Sequence, residues 1–363
     1  MPLTEILLDA RESQPLAALT TFGIGGDARW LLHARTADEV SRAHRWSESA
    51  AVPLFVMGGG SNLVIADEGF DGLVVRIDVR GRTFATDGGD TLVTAGAGEP
   101  WDEVVSDCVG RGLAGLECLS GIPGTVGGTP IQNVGAYGQD VAGSIDHVTA
   151  YDRQTRAVVR LTGGDCGFAY RTSRFKGADA GRFVILGVTY RMRPGAPTST
   201  YPDIVDYLAR VGVSSPDVAE VRNAVLAVRR RKGMVIDQSD PDTRSVGSFF
   251  VNPLVGQADH DRVTAVAGAE PPAFAAGSGR LKLPAAWLIE RAGFRRGDGD
   301  GRVGISTKHT LALINRGGAT ARDVLRFASL IKRGVLDRFG ISLRPEPVFL
   351  GFGLDRDLDF LQS

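Results

Sequence analysis

Residues 120–138 read Ser120-Gly-Ile-Pro-Gly-Thr-Val-Gly-Gly-Thr-Pro-Ile-Gln-Asn-Val-Gly-Ala-Tyr-Gly138, and the spacing of their glycines decides how the chain is read. Glycines at 121, 124, 127, 128, 135 and 138 permit positive φ and let the backbone lie close against a second body. Successive unblocked N–H groups in such turns form concavities that hold anions, and Thr125, Gln132, Asn133 and Tyr137 add side-chain hydrogen-bonding groups beside them. A phosphate-bearing ligand is the natural occupant. The plain alternative is a long structural loop, and loops of this length without secondary structure of their own tend to be functional or disordered. The apolar Ile122, Val126 and Ile131 argue against disorder.

Outward from this loop, the bulk properties set limits. A chain of 363 residues is too long for one ordinary domain, so two or three are expected. With 43% hydrophobic and 23% charged residues it matches globular composition, and a formal net charge of -1 exerts no bulk pull toward nucleic acid or anionic membrane. Anion binding must then be local, with neither nucleic-acid partner nor membrane insertion expected. Met1 to Glu12 lacks a basic-then-apolar leader and no apolar run approaches spanning length, so a cytoplasmic protein is expected. Cys108, Cys118 and Cys166 are odd in number and far apart, which suggests small buried hydrophobes rather than disulfides or a zinc site.

Upstream, Leu19 to Gly26 is a glycine-punctuated turn entering a strand at Ala28 to His33. Thr36 and Glu39 form a capping box for a helix that carries Val40 and Ala43 on one face, and Val52 to Met57 resumes extended structure. The unit ends in Gly58-Gly-Gly-Ser-Asn62. A dinucleotide fingerprint would need a helix next, but Leu63-Val-Ile65 reads as strand, which excludes a Rossmann assignment. Short β runs fill Leu73 to Ala97, then a helix opens at Pro100 and closes at Gly110 and Gly112.

Downstream, His147 to Tyr151, Ala157 to Leu161 and Arg182 to Arg191 read as strands around a turn rich in Arg and aromatics, Gly167 to Lys176, with a linker-like Pro194 to Thr200 after them. Ser215-Pro-Asp217 opens a helix with Val218, Val221, Val225 and Val228 on one face. It ends in Arg229-Arg-Arg-Lys232, where cations suit a helix C-terminus and a ligand contact is equally open. Helices fit Pro284 to Ala292 and Ala321 to Phe339, the latter between Thr320 and Gly340. A final strand spans Ile341 to Gly351, and its Glu346 lies between two prolines, as at a strand end where a carboxylate can face a cleft, or simply as a surface charge. Gly268 to Pro272 and Gly297 to Gly301 read as exposed loops, the latter without EF-hand spacing. No GxxxxGK[ST], HExxH or GxSxG occurs, and the five histidines are scattered singly, so no metal is expected.

Taken in order, Thr21-Phe-Gly-Ile-Gly25, Gly58-Gly-Gly-Ser-Asn62, Gly121-Ile-Pro-Gly124, Pro130-Ile-Gln-Asn-Val-Gly-Ala-Tyr137, Tyr170-Arg171, Gly247-Ser-Phe-Phe250, Asn252-Pro253 and Pro345-Glu346 resemble the type I branch of the UDP-N-acetylenolpyruvoylglucosamine reductase family. The resemblance runs nearly end to end. It implies an α+β chain in which a vanillyl-alcohol-oxidase/PCMH-like fold of two subdomains, residues 1–79 and 80–212, holds FAD without a covalent link. An α+β substrate-binding domain would follow over 213–340, and a C-terminal strand, 341–363, would return to the active site.

By the same resemblance, FAD would lie on Gly58, Gly59, Gly60, Ser61 and Asn62, and on Gly121, Ile122, Pro123, Gly124, Gly127, Gly128, Gln132, Asn133, Gly135, Ala136 and Tyr137. Neither stretch contains a His or Cys placed for linkage, since Cys118 precedes the long loop and His147 follows it. NADPH would supply hydride to FAD and thence to UDP-N-acetylglucosamine enolpyruvate, in peptidoglycan precursor synthesis by a monomer. Ser248 would be the general acid, Arg171 would hold the substrate carboxylate, and Glu346 would bond the developing aci-carboxylate. Tyr137, Tyr170, Arg171, Tyr201, Lys232, Asn252 and Lys282 would bind substrate, Tyr201 being alternatively an aromatic packed at an interface. The chain departs from the family pattern in the Gly-Met-Val-Ile that follows Lys232 and in Val348, where some relatives carry Arg. A flavin oxidase of the same superfold and a non-catalytic sugar-nucleotide sensor are the rival readings; Ser248, Arg171 and Glu346 together disfavour both.

Overall fold

The structure, a computed structural model, describes residues 9–198, 200–277, 279–299 and 301–363. Residues 1–8 of the leader reading, Ser199 of the linker reading and Asp300 of the loop at Gly297 lie outside the described residues. The chain divides into two compact units. The first takes the chain through Gln14, then Ala28–Gly60 and Asp71–Val235; the second takes Pro15–Asp27, Ser61–Phe70 and Ile236–Ser363.

The first unit carries two large sheets, besides a two-stranded one of Gly135–Ala136 and Gln139–Asp140. One is ordered Arg11–Pro15, Asp27–Ala34, Phe70–Ile77 and Leu54–Met57, with Val56 opposite Val75 in a parallel pair. Helix Ala37–Ala50 joins two of these strands, and its start is the expected box: Glu39 N donates to Thr36 Oγ1 at 3.2 Å while the Glu39 carboxylate accepts from Thr36 N at 3.1 Å. The second sheet is antiparallel, ordered Ala157–Thr162, Ile145–Asp152, Phe183–Pro194, Asp90–Gly96 and Arg82–Asp87. Both sheets and helix Trp101–Gly110 close on one apolar core that includes Val40, Trp46, Leu73, Val75, Val93, Trp101, Tyr151, Val188 and Tyr190. Each such aliphatic side chain, fully buried, contributes roughly 1.5–3 kcal/mol. All three cysteines are buried.

Three sequence readings in this unit need correction. Pro194 is the last residue of a long strand, still paired with Leu113. Thr198 beyond it is fastened by its N–H to Glu117 Oε1 at 2.8 Å, so this part of the stretch is tied down rather than linker-like. The helix expected from Ser215 begins instead at Val218, because Asp217 forms a capping box with Glu220 and leaves Ser215 and Pro216 outside it. A further helix, Pro202–Arg210, lies outside the sequence reading, although Pro202 at its first position, Asp203 in its first turn and Arg210 in its last are the usual marks of one.

In the second unit, strands Ser245–Ser248, Ala312–Asn315 and Val303–Ile305 form an antiparallel sheet backed by helix Ala321–Phe339, whose Thr320 cap and Gly340 stop are as expected. The terminal strand is shorter than Ile341 to Gly351. Only Val348–Leu350 is regular strand, parallel to Leu63–Ile65. Before it, Arg344 to Glu346 pairs in the opposite sense with Phe249 to Val251, and the buried Pro347, which has no N–H to donate, separates the two pairings. Helices Gln257–Ala267, Ala285–Arg291 and Arg356–Gln362 and a small antiparallel sheet of Leu254–Val255, Leu281–Lys282 and Phe274–Ala275 also belong to this unit. Among the described residues no helix is long and apolar enough to cross a membrane.

Candidate active site

Within the first unit, the two glycine turns touch. A Cβ on Gly59 would fall 2.8 Å from Gly124 Cα and 3.2 Å from Thr125 N, and one on Gly58 would fall 2.6 Å from Thr125 Oγ1. Only glycine allows that approach. The Thr125 hydroxyl, buried at this junction, has no hydrogen-bond partner among the described residues. Such an orphan is expensive, and one between two glycine turns is the kind of group a ligand or an ordered water satisfies.

The long loop is held at several points. At its start, Gly121 has φ +71° and donates to Asp102 Oδ1 at 2.6 Å, while Arg222 grips the same carboxylate through two nitrogens at 2.6 and 2.9 Å. Burial works against ionisation of Asp102, but the Arg222 fork and the Gly121 N–H outweigh it and hold the carboxyl below its usual range. Gly127 packs on Ala97, and Gly128 faces open space. Asn133 is buried and spends its amide on the loop's own architecture, donating to Ala169 O at 3.1 Å and accepting from Ala142 N at 3.2 Å. At the far end, Tyr137 has φ +49°, meets Tyr201 edge-on at 5.3 Å and hydrogen-bonds Arg229.

Arg171 sits on the same loop. Its guanidinium donates to Gly135 O at 2.5 Å and Asn133 O at 3.4 Å, and lies 5.6 Å from the Tyr170 ring. Its backbone φ of +53°, unusual for arginine, aims it there. Tyr201 caps helix Pro202–Arg210, and Asp203 in that helix's first turn pairs with Lys232 at 2.5 Å. Lys232 Nζ is 5.8 Å from the Tyr137 ring, so Tyr137, Tyr201 and Lys232 form one cluster.

The second unit holds the other expected residues. Ser248 ends strand Ser245–Ser248 just after Gly247, which has φ +76°, and is half-buried. Glu346 N donates to Phe249 O at 2.8 Å, so Ser248 and Glu346 lie on adjoining segments. Asn62 ties down the Glu346 side: its Nδ2 donates to Glu346 O at 3.2 Å, and its carbonyl accepts from Val348 N at 3.0 Å. Ser61 O receives the Thr21 hydroxyl at 3.5 Å, a long contact, while that hydroxyl's short bond of 2.6 Å goes to Ser245 O. Asn252 Oδ1 accepts from Ala285 N at 2.9 Å and so helps start helix Ala285–Arg291, and Lys282 Nζ lies 5.8 Å from the Phe274 ring.

Sequence reasoning missed Thr125 as an orphan and missed Asp102, Arg222 and Arg229 entirely as loop holders. A signal existed for the arginines. Residues seven apart on a helix share a face, so Arg222 and Arg229 stand on the side that faces the loop, whereas Arg230 and Arg231 are exposed. The glycine cradle and the buried Thr125 hydroxyl fit a phosphate-bearing cofactor on the first unit. Among the described residues no group of three or more His, Cys, Asp or Glu is placed to hold a metal.

Residues 28–153 match the family model of an FAD binding domain, and residues 239–350 match that of the UDP-N-acetylenolpyruvoylglucosamine reductase C-terminal domain. The UDP-N-acetylenolpyruvoylglucosamine reductase of Thermobifida fusca is 50% identical over 352 residues, covering 94% of this chain and 98% of its own. Its counterpart in Streptomyces coelicolor is 48% identical over 349 residues, with 94% and 90% covered. The solved UDP-N-acetylenolpyruvylglucosamine reductase of Thermus caldophilus superposes with a TM-score of 0.64 at 25% identity, covering 94% of this chain and all of that one. These likenesses agree with the α+β FAD-binding fold expected from sequence.

Proposed function

The chain belongs to the UDP-N-acetylenolpyruvoylglucosamine reductase family, and from that premise we propose that it reduces UDP-N-acetylglucosamine enolpyruvate to UDP-N-acetylmuramate in peptidoglycan precursor synthesis. FAD, when bound, accepts hydride from NADPH and passes it to the enolpyruvyl group. The observation that carries the reading at the level of residues is the pairing of Glu346 with Phe249 beside Ser248, since the chemistry calls for an acid and a carboxyl partner close together.

Hydride added at the terminal carbon pushes negative charge into the substrate carboxylate. Preorganised donors are the largest expected contribution to stabilising it. Arg171 offers a planar charged fork to the carboxylate, and Glu346, protonated, donates a hydrogen bond to it as its charge grows. Ser248 then delivers a proton to the adjacent carbon as general acid. A free serine hydroxyl is too weak an acid for this, so neighbours must polarise it. Gly58 to Asn62 and Gly121 to Tyr137 are the proposed cofactor cradle, with FAD non-covalent. Tyr137, Tyr170, Tyr201, Lys232, Asn252 and Lys282 are the proposed substrate contacts, although Asn133 and Asn252 already have structural bonds to keep. A cytoplasmic monomer with the segment roles expected from sequence completes the proposal.

The test is anaerobic. NADPH is added to the yellow protein, then the enolpyruvyl substrate, while flavin absorbance is followed. Bleaching by NADPH and recovery on addition of substrate, with UDP-N-acetylmuramate formed, is the expected result. Rapid reoxidation only by oxygen indicates an oxidase, and binding of the UDP-sugar without NADPH-dependent bleaching indicates a sensor.

A further inference from the structure

Glu117 lies in the first unit just ahead of the long glycine loop and is fully buried. Three neutral donors converge on its carboxylate. Gly115 N reaches Oε2 at 2.6 Å, while Gln139 Nε2 at 2.7 Å and Thr198 N at 2.8 Å share Oε1. Gln139 Oε1 accepts from Cys118 N at 2.9 Å, which turns the amide so that its NH2 group faces the carboxylate. The carbonyl of Thr198 accepts from Cys118 Sγ at 3.1 Å, so Thr198 is held at both of its main-chain groups. Two chain segments are thereby fastened to one side chain. Gln139 pairs with Ala136 across the two-residue turn Tyr137-Gly138, whose φ angles are both positive, at +49° and +87°. Thr198 stands three residues before Tyr201. The two tyrosines meet edge-on at 5.3 Å, and Tyr201 is 42% exposed. A buried clamp that ends on a half-exposed aromatic pair is the reverse of core packing, in which the clamped group is the one hidden from water. Burial of a carboxylate among neutral donors is costly, and only an acceptor-only side chain takes three donors at once.

We infer that Glu117 is a positioning residue for substrate binding, fixing Tyr137 and Tyr201 relative to one another so that the pair is already in place when the sugar nucleotide arrives. The inference rests on the proposed role of these tyrosines as substrate contacts and deepens it. A contact surface ordered in advance spares the ligand the entropy of ordering it. Without the clamp, the substrate itself must order the Tyr201 segment, which weakens binding while leaving Ser248 and Glu346 untouched. Glu117→Gln removes the clamp with little change of shape, because one of the two oxygens becomes an NH2 group that faces N–H donors and accepts from none of them.

Steady-state kinetics of the FAD-loaded protein with the enolpyruvyl substrate test this. Glu117→Gln should raise KM about tenfold, the effect of one lost hydrogen bond to a charged group, while kcat falls much less. Tyr201→Ala should raise KM as well, and adding Glu117→Gln to it should raise KM by less than the same change does in the wild-type background, since the residue acts through the tyrosine. A Glu117→Gln KM equal to wild type overturns the inference. So does a fall in kcat as large as the rise in KM, or a full multiplication of the two effects in the double variant, either of which would make Glu117 a general support of the fold. If Glu117→Gln does not fold or hold FAD, Thr198→Pro decides: it deletes the one N–H that ties the Tyr201 segment to the carboxylate, and an unchanged KM there overturns the inference. An unchanged KM in Tyr201→Ala overturns the reading of that tyrosine as a substrate contact and this inference with it, an outcome distinct from a Tyr201→Ala effect that Glu117→Gln does not share.

Discussion

The backbone N–H of Glu346 donates to the carbonyl of Phe249 at 2.8 Å, and the pairing continues as Val251 N donates to Arg344 O at 3.0 Å. Ser248 is the residue just before this ladder. Main-chain bonds thus fix the backbone of Glu346, and Asn62 reinforces it from the other side.

Asn62→Ala removes the 3.2 Å bond to Glu346 O but keeps the backbone bond from Val348. The expected loss of stability is about 0.5–1.5 kcal/mol. Product formation should slow more than flavin reduction by NADPH does. Urea melts and half-reaction rates check both; equal slowing of the two half-reactions would contradict a role centred on the Glu346 segment.

Gly59→Ala places a methyl group 2.8 Å from Gly124 Cα, a clash with backbone that cannot be relieved by a rotamer change. Forced separation of the two turns should cost about 1–3 kcal/mol and weaken retention of FAD. Flavin content after gel filtration reads this out. Full flavin occupancy with unchanged melting would show that the turns need not touch.

Asp102 has a carboxyl held below its usual range, so its contribution to stability is complete above the unfolded-state value of about 3.9 and is lost as pH falls through the folded value. Asp102→Asn should therefore melt below wild type at neutral pH. The gap should hold down to about pH 4 and close with further acidification. A gap that is unchanged in strong acid would mean that the charge is not its source.

Burial pushes the thiols of Cys108 and Cys118 up to about 12 and that of Cys166 up to about 11. Thiolate is the reactive form, so a disulfide reagent at pH 8 should leave the native protein untouched and titrate all three after denaturation. Rapid labelling of any one in the native protein would contradict this burial.

Much of the regular structure in both units can be read locally. Capping at Thr36 and Thr320, the Pro100 helix start and the β runs depend on neighbours a few residues away, which is why the sequence reveals them. The division into units is not local: 15–27 and 61–70 leave the first unit to join the C-terminal half, and Leu63–Ile65 finds its partner at Val348–Leu350. The site shows the same contrast. The glycine spacing marks the cradle, but the seven-residue spacing of Arg222 and Arg229 shows only that they share a helix face; that this face is the buried one, while Arg230 and Arg231 are exposed, is decided by tertiary packing. Asn133 likewise sits in a motif that suggests ligand contact while its amide holds the loop together.

The central claim is that Ser248 protonates the substrate after hydride arrives, and the most direct measurement is double-mixing stopped flow on Ser248→Ala. NADPH reduction of the flavin needs no proton from this hydroxyl, so the first phase should keep its wild-type rate. Product formation on addition of the enolpyruvyl substrate should fall by about 10²–10⁴-fold, the usual cost of losing a positioned acid, in a protein that remains folded and flavin-loaded. Product formed at the wild-type rate, or flavin reduction slowed as much as the second step, would contradict the account.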